Sequence, residues 1–144
     1  FEGWFVGVEP IGDRQLNEFL AGAPFPILTE GDRQFARDMN AKLHDYLPLW
    51  QRLDKLIVLY PKDYRISGVW RNQAEREMMA TGKSGMTELE INQFVEYFQK
   101  ALHPELFIKS MVEHSQMVDL VIEIESDRAI GKIYRSNLSE ADFG

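Results

Sequence analysis

Lys55-Leu56-Ile57-Val58-Leu59-Tyr60-Pro61 is the stretch on which the fold turns. It is a short, unbroken apolar run stopped by a proline. Such a run predicts a buried strand, of the kind found in a parallel sheet covered on both faces. Reading outward from it, the neighbouring segments alternate with it in type. Asp63 is placed to cap a helix that runs to about Ala80 and ends at Gly82. Gly85-Met86 then forms a turn, and Thr87 with Glu90 makes a capping box. Ile91, Phe94, Val95 and Phe98 supply the apolar face of the helix that follows. "HPELF" breaks and restarts the helix near Pro104, "VDLVIEIES" (118–126) is a strand, and "AIGKIYR" a final or edge strand.

Upstream, Thr29 with Asp32 caps a long helix whose apolar residues Phe35, Met39, Leu43, Tyr46 and Leu47 recur at helical spacing. Pro48 should kink or end it. Pro10, Gly12, Gly22, Pro24 and Pro26 mark a connector with one short helix at Asp13–Leu20. Phe1 to Val8 reads as the end of a strand, and "SNLSEADFG" (136–144) as a frayed acidic tail. Strands alternating with long helices predict an α/β fold with a mainly parallel sheet.

The chain has 144 residues, enough for one domain with a real core. Its 44% hydrophobic and 27% charged residues exclude wholesale disorder. A net charge of −7 with a pI near 5.0 disfavours a general nucleic-acid binder, which presents a basic surface. There is no cysteine, which rules out disulfide scaffolds and thiolate zinc and fits a cytoplasmic protein. No apolar run is long enough for a membrane span, and no signal peptide is visible. The chain opens inside an apolar stretch without a methionine, so it is expected to be the later part of a longer protein or an excised piece.

Thr81-Gly82-Lys83-Ser84-Gly85 ends in the Gly-Lys-Ser of a phosphate-binding loop. That loop needs G-x-x-x-x-G-K-[ST] after a strand. Here the first glycine is replaced by Glu77, and the residues in front read as helix, so the motif is rejected. The chemistry-bearing residues lie elsewhere. Glu2-Gly3-Trp4 stands at the expected strand end, where a carboxylate can accept a substrate proton or hold a magnesium ion directly or through water. The bland reading is a solvated Glu2 beside a core Trp4.

Arg65, Arg71, Arg76 and Lys83 make the segment 63–86 locally basic in an acidic chain. Arg65 and Arg76 are eleven residues apart, about three helical turns, and so should share a face. Arg71 and Glu75 should pair at i,i+4. Arginines over a nucleotide suit phosphoryl transfer; otherwise this is an exposed amphipathic helix with weak surface pairs. Gly68 and Gly82–Gly85 would let the segment move as a lid. His44, His103 and His114 match no zinc spacing: His44 is expected at the surface and His103 in a cap or turn. Phe94, Tyr97 and Phe98 are expected in the core.

"FEGWFVG", "LPLWQRLDKLIVLYP", "WRNQAEREMMATGKSGMTELEINQFV" and "VDLVIEIE" together resemble the later part of the D-glycerate 3-kinase family. This family belongs to the P-loop kinases related to uridine kinase, phosphoribulokinase and pantothenate kinase. The similarity covers roughly Phe1 to Ile133. Its most specific piece is Trp70-Arg71-x-Gln73-x-Glu75 followed by Gly82-Lys83-x-Gly85-Met86-Thr87. "FARDMN" (35–40) and "ALHPELFI" (101–108) resemble cyanobacterial members.

The resemblance implies a partial P-loop NTPase-type three-layer fold lacking its N-terminal phosphate-loop unit, with residues 1–135 as the C-terminal part and about 63–86 as its lid. It implies an ATP- and magnesium-dependent kinase that phosphorylates a small hydroxyl acceptor. Glu2 would sit near the acceptor hydroxyl or the Mg2+ ion. Arg71, with Arg76 and Lys83, would reach the ATP phosphates, and Trp4 and Arg65 would face the substrate. Gln73 and Glu75 would hold the lid in shape. No nucleic-acid or membrane partner is implied, and a partial sheet would expose an edge suited to self-association.

Two departures stand out. The phosphate loop is absent, so this chain alone should be inactive. In the helix after the lid, where many members carry Arg-Tyr followed by Pro-Ala-Tyr, this chain has Tyr97-Phe98-Gln99-Lys100-Ala101-Leu102. The alternatives are a non-catalytic binding module, or a kinase for a nucleoside, pantothenate or sugar phosphate.

Overall fold

The computed structural model describes residues 1–135; the expected acidic tail, 136–144, lies outside them. The first helix, α1, spans Asp13–Ala21 and buries Leu16 and Leu20. Helix α2, Glu30–Lys42, opens on the Thr29/Asp32 capping box, with Asp32 Oδ2 accepting the backbone N–H groups of Leu28 and Thr29 at 3.0 Å each. These two bonds, together with the Lys100 ammonium 3.0 Å away, hold the Asp32 carboxyl well below the usual carboxylate range. The helix gives way to a 3-10 turn at Leu43–Tyr46 and a short helix, α3, at Leu47–Trp50. Pro48 sits in the first turn of α3, where its missing N–H costs nothing.

Strand β1 is Ile57–Pro61, and α4 is Ile66–Ala80. Asp63 does not cap α4 itself. It accepts the backbone N–H of Arg65 in the turn before the helix, which begins two residues later than its position suggested. Gly82, at φ 86°, turns the chain after α4. Helix α5, Glu88–Ala101, starts on the Thr87/Glu90 capping box and contacts both α2 and α4. Helix α6 is Phe107–His114; β2 is Leu120–Ile124 and β3 is Ile130–Tyr134.

The sheet order is β1-β2-β3. β1 and β2 are parallel, and β2 and β3 antiparallel with an irregularity between Ile122 and Ile124. The sheet is therefore mixed, not mainly parallel: β2 and β3 are joined by a short turn, which forces an antiparallel pair. Asp119 ties the start of the parallel pair, accepting the Leu56 N–H at 2.9 Å and the Lys55 ammonium at 3.0 Å.

Within the described residues, β1 is covered on one face only, not on both as expected. Val58, 7% exposed, enters the core with Val121, whereas Leu59 is 64% exposed and Ile57 is similarly open. The register sets Ile57 beside Leu120 and Leu59 beside Ile122, which in turn pairs with the exposed Ile133. One sheet face thus packs on the core and the other carries aliphatic side chains that are exposed among the described residues. A continuous apolar run has no alternation to reveal which face is covered.

Phe1–Val8 forms no strand. Its backbone groups have other partners: Val8 N–H bonds the Phe5 carbonyl, and the Val8 carbonyl accepts Trp50 Nε1–H at 3.0 Å. Gly7 takes φ 82°, and a Cβ there would stand 2.5 Å from a Leu56 methyl, so the turn requires glycine twice over. Farther on, Asn40 clamps Ile11 by accepting its N–H at 2.8 Å and donating to its carbonyl at 2.9 Å. No helix among the described residues is long and apolar enough to cross a membrane.

Candidate active site

The Gly-Lys-Ser of residues 82–84 lies in the connection between α4 and α5, with a helix and not a strand before it. It is not a phosphate cradle. What the structure does bring together is the N-terminal segment, α4 and α5. Helix α5 presents aromatic residues at 94, 97 and 98, spaced to share a side of the helix. The Trp4 ring meets Phe94 and Phe98 edge-on, with centroids 6.2 and 5.8 Å apart. Phe5 stacks on Phe98 at 6.1 Å, and Tyr97 meets both Phe98 and Phe35 at 5.3 Å. Phe94 and Tyr97 are exposed, which corrects the expectation that all three aromatics are core. Helix α5 buries Ile91, Val95 and Gln99 instead, and the rings stand on its rim.

From α4, the Arg71 guanidinium lies over the Phe94 ring, 5.8 Å from its centroid. Trp4 and Arg71 therefore share one aromatic partner. This arrangement places Glu2, two residues from Trp4 and exposed, on the segment docked beside Arg71. Arg71 Nη2 donates to Glu75 Oε1 at 2.8 Å, so the i,i+4 pair forms as the spacing predicts. The Arg71 side chain is 41% exposed and that of Glu75 only 7%.

The other basic residues do not converge on this point. Arg65 is the N-cap residue of α4 and has helical dihedrals, yet its guanidinium does not join the Arg71 cluster. Arg65 instead forks onto Asp63, with both contacts at 2.9 Å. Arg76 donates to Glu88 at 3.1 Å, and Lys83 is exposed in the loop. The far side of α4 is anchored to the β2–β3 turn. Trp70 Nε1 donates to the Ser126 carbonyl at 3.3 Å, and Arg128 donates to Gln73 Oε1 at 3.1 Å while lying over the Trp70 ring. Gln73 thus acts as a tie for α4.

The histidines also separate. His44 is exposed, as expected. His103 does occupy a turn, its Nδ1 accepting the Glu105 N–H, but it is 1% exposed and belongs to the interior. Among the described residues no three His, Asp or Glu side chains gather to cage a metal. A magnesium ion held mainly by phosphates and water needs only one or two protein carboxylates, a requirement that an exposed Glu2 can meet. An open cleft of about 540 Å3 is lined by Ile11, Asn17, Arg37, Asn40 and His44 and contains none of the predicted residues. The Trp4–Phe94–Arg71 cluster lies at the surface, with Trp4 and Phe94 both exposed.

No protein-family model matches the chain. Among curated proteins it is 32% identical over 98 residues to the uncharacterized kinase mug58 of Schizosaccharomyces pombe, spanning 68% of this chain and 34% of that protein. It is 28% identical over 132 residues to the chloroplastic D-glycerate 3-kinase of Arabidopsis thaliana, spanning 89% of this chain and 26% of that protein. Among solved structures, D-glycerate 3-kinase from Cryptococcus neoformans superposes with a TM-score of 0.81 at 26% identity, over 94% of this chain and 48% of that one. The chain therefore spans between about a quarter and a half of the length of these relatives.

Proposed function

We propose that this chain, whose homologues are D-glycerate 3-kinase and related kinases, works as the C-terminal part of an ATP-dependent phosphotransferase. The enzyme moves the γ-phosphoryl group of ATP onto the hydroxyl of a small hydroxy acid. The observation that carries this reading is the meeting of Trp4 and Arg71 on Phe94. It joins the two segments whose residues suit phosphoryl transfer, although they lie far apart in the chain.

The roles follow from charge. Phosphoryl transfer spreads negative charge over the transferring oxygens, and a fixed guanidinium stabilises it. Arg71 supplies that guanidinium, and Glu2 faces either the acceptor hydroxyl, as its proton acceptor, or the magnesium ion. Magnesium, when bound, neutralises phosphate charge; Glu2 is the residue of this chain that would hold it, directly or through water. Trp4 fixes the Glu2 segment against α5. Arg65 and Arg76 have carboxylate partners and serve the lid more than the phosphates; Lys83 is left to reach the nucleotide. The P-loop classification and a cytoplasmic setting are parts of the same proposal. Without a phosphate loop of its own the chain depends on further residues for most of its ATP affinity.

The test is to supply the complete gene product with Mg-ATP and D-glycerate and to follow phosphoglycerate. ATP-dependent product is expected. A gene product with no phosphate loop and no ATP binding would favour the binding-module reading. One further consequence concerns association. Among the described residues, the exposed face around Ile57, Leu59 and Ile133 and the unpaired edge of β1 are suited to a second copy of the chain. Sedimentation of this chain should show concentration-dependent association, which Leu59→Lys reduces at least about tenfold in affinity, the worth of one buried aliphatic side chain. A monomer at millimolar concentration would refute it.

A further inference from the structure

We propose that Glu75 is a positioning residue for Arg71 and that it couples the orientation of this arginine to the loop that follows α4. The proposal rests on the reading that Arg71 acts on the transferred phosphoryl group. Glu75 is buried, 6% exposed, on the helix turn that follows Arg71. A carboxylate facing a guanidinium can take two parallel N–H bonds as a fork. Glu75 does not. Its Oε1 accepts one Arg71 N–H at 2.8 Å, while Oε2 turns away toward the backbone N–H of Met86, 3.4 Å distant. Arg71 Nε is left buried and without a partner.

Gly85 makes this arrangement possible. A Cβ at that position would stand 2.7 Å from Glu75 Oε2 and about as close to the Met79 and Met78 side chains, at 3.0 and 3.1 Å. With no side chain there, the loop backbone closes onto the carboxylate. The guanidinium is thus held from three sides: its own helical stem, the Glu75 oxygen, and the Phe94 ring beneath it. Held in this way, the N–H donors on its exposed edge have a fixed direction, which suits an anionic phosphoryl group arriving there. Movement of the loop 81–86 shifts the Met86 contact and so the Glu75 anchor of Arg71.

The experiment is a double-mutant cycle in the complete gene product, with kcat and KM for ATP read in the presence of D-glycerate. The variants are Glu75→Gln, Arg71→Ala, the double variant, and Gly85→Ala. Glu75→Gln should lower kcat about 10- to 100-fold with little change in KM, the cost of a misplaced catalytic group. Gly85→Ala keeps every charge but pushes on Oε2, and it should lower kcat in the same direction. The double variant should be no slower than Arg71→Ala alone, because Glu75 acts only through Arg71. Multiplying losses in the double variant, or wild-type kcat in folded Glu75→Gln, would overturn the positioning role while leaving Arg71 in place. If Glu75→Gln does not fold, wild-type kcat in Gly85→Ala overturns it. A wild-type kcat in Arg71→Ala overturns the underlying reading of the site and this proposal with it.

Discussion

Arg71→Ala in the complete gene product is expected to lower kcat about 100- to 1,000-fold, the effect of removing one preorganised charge-stabilising group. Arg71 is the only one of the four predicted basic residues seated against Trp4's aromatic partner. Arg65 and Arg76, exposed and matched to Asp63 and Glu88, should give changes of only a few-fold. The substitution has a second consequence. It strands the buried Glu75 carboxylate with only the long Met86 contact, which should cost about 2 kcal/mol of stability. Fold and turnover are therefore both affected, and they separate cleanly. Arg71→Ala with Glu75→Gln should recover much of the thermal midpoint, because no buried charge is left unpaired, yet recover none of the turnover. Unfolding by circular dichroism beside initial rates reads both. Full turnover in folded Arg71→Ala would remove this residue from the mechanism.

Local chemistry was legible in the sequence because it is written over a few neighbouring residues. Thr29 with Asp32 and Thr87 with Glu90 each form the reciprocal capping box their spacing implies. The rejection of residues 82–84 as a phosphate loop needed only Glu77 and the helical pattern ahead of it. What escaped depends on partners distant in the chain. Phe1–Val8 has a strand-like pattern, but a strand is made by a ladder, and this backbone bonds to its own turn and to Trp50 instead. The run at 55–61 is apolar throughout, so nothing in it says that Leu59 faces outward. Arg65 has the helical dihedrals that its spacing from Arg76 assumed, but spacing alone does not say that its guanidinium goes to Asp63. The aromatic cluster joins Trp4 to residues about ninety positions away; its one local trace is the 94, 97, 98 spacing, which alone cannot distinguish a rim from a core. The resemblance to glycerate kinases named the segments to compare, and the structure added which side chains in them meet.

His103 carries the other large effect, on stability. Its Nδ1 accepts the Glu105 N–H at 3.2 Å, so Nε2 bears the proton and donates to the Phe25 carbonyl at 3.1 Å. Tyr64 donates its hydroxyl to the same carbonyl at 2.8 Å, and the Phe19 and Tyr64 rings enclose the imidazole, 5.5 and 4.7 Å away between centroids. Burial pushes the pKa of His103 down, and the Phe25 carbonyl and the Glu105 charge oppose this less strongly. The folded protein therefore holds this side chain neutral, while the unfolded chain takes up a proton near pH 6.5. Between the lowered folded value and about 6.5 the unfolded state binds more protons, so stability rises with pH there. The contribution is complete above about pH 6.5 and is lost as pH falls through the folded value, with a slope of at most about 1.4 kcal/mol per pH unit. Asp32, Asp63 and Asp119 also have lowered values, but they lose stability only below the ordinary carboxylate range near pH 4, a separate window. His103→Ala should cost about 2–4 kcal/mol at pH 8, from a lost buried ring and the Glu105 N–H it leaves without its acceptor, the Phe25 carbonyl keeping Tyr64. That cost should shrink at pH 5, because below about pH 6.5 the wild type alone loses part of the stability that comes from holding this histidine neutral. Urea unfolding of both proteins at the two pH values decides the matter: an equal difference at each would mean that His103 does not titrate out of the fold.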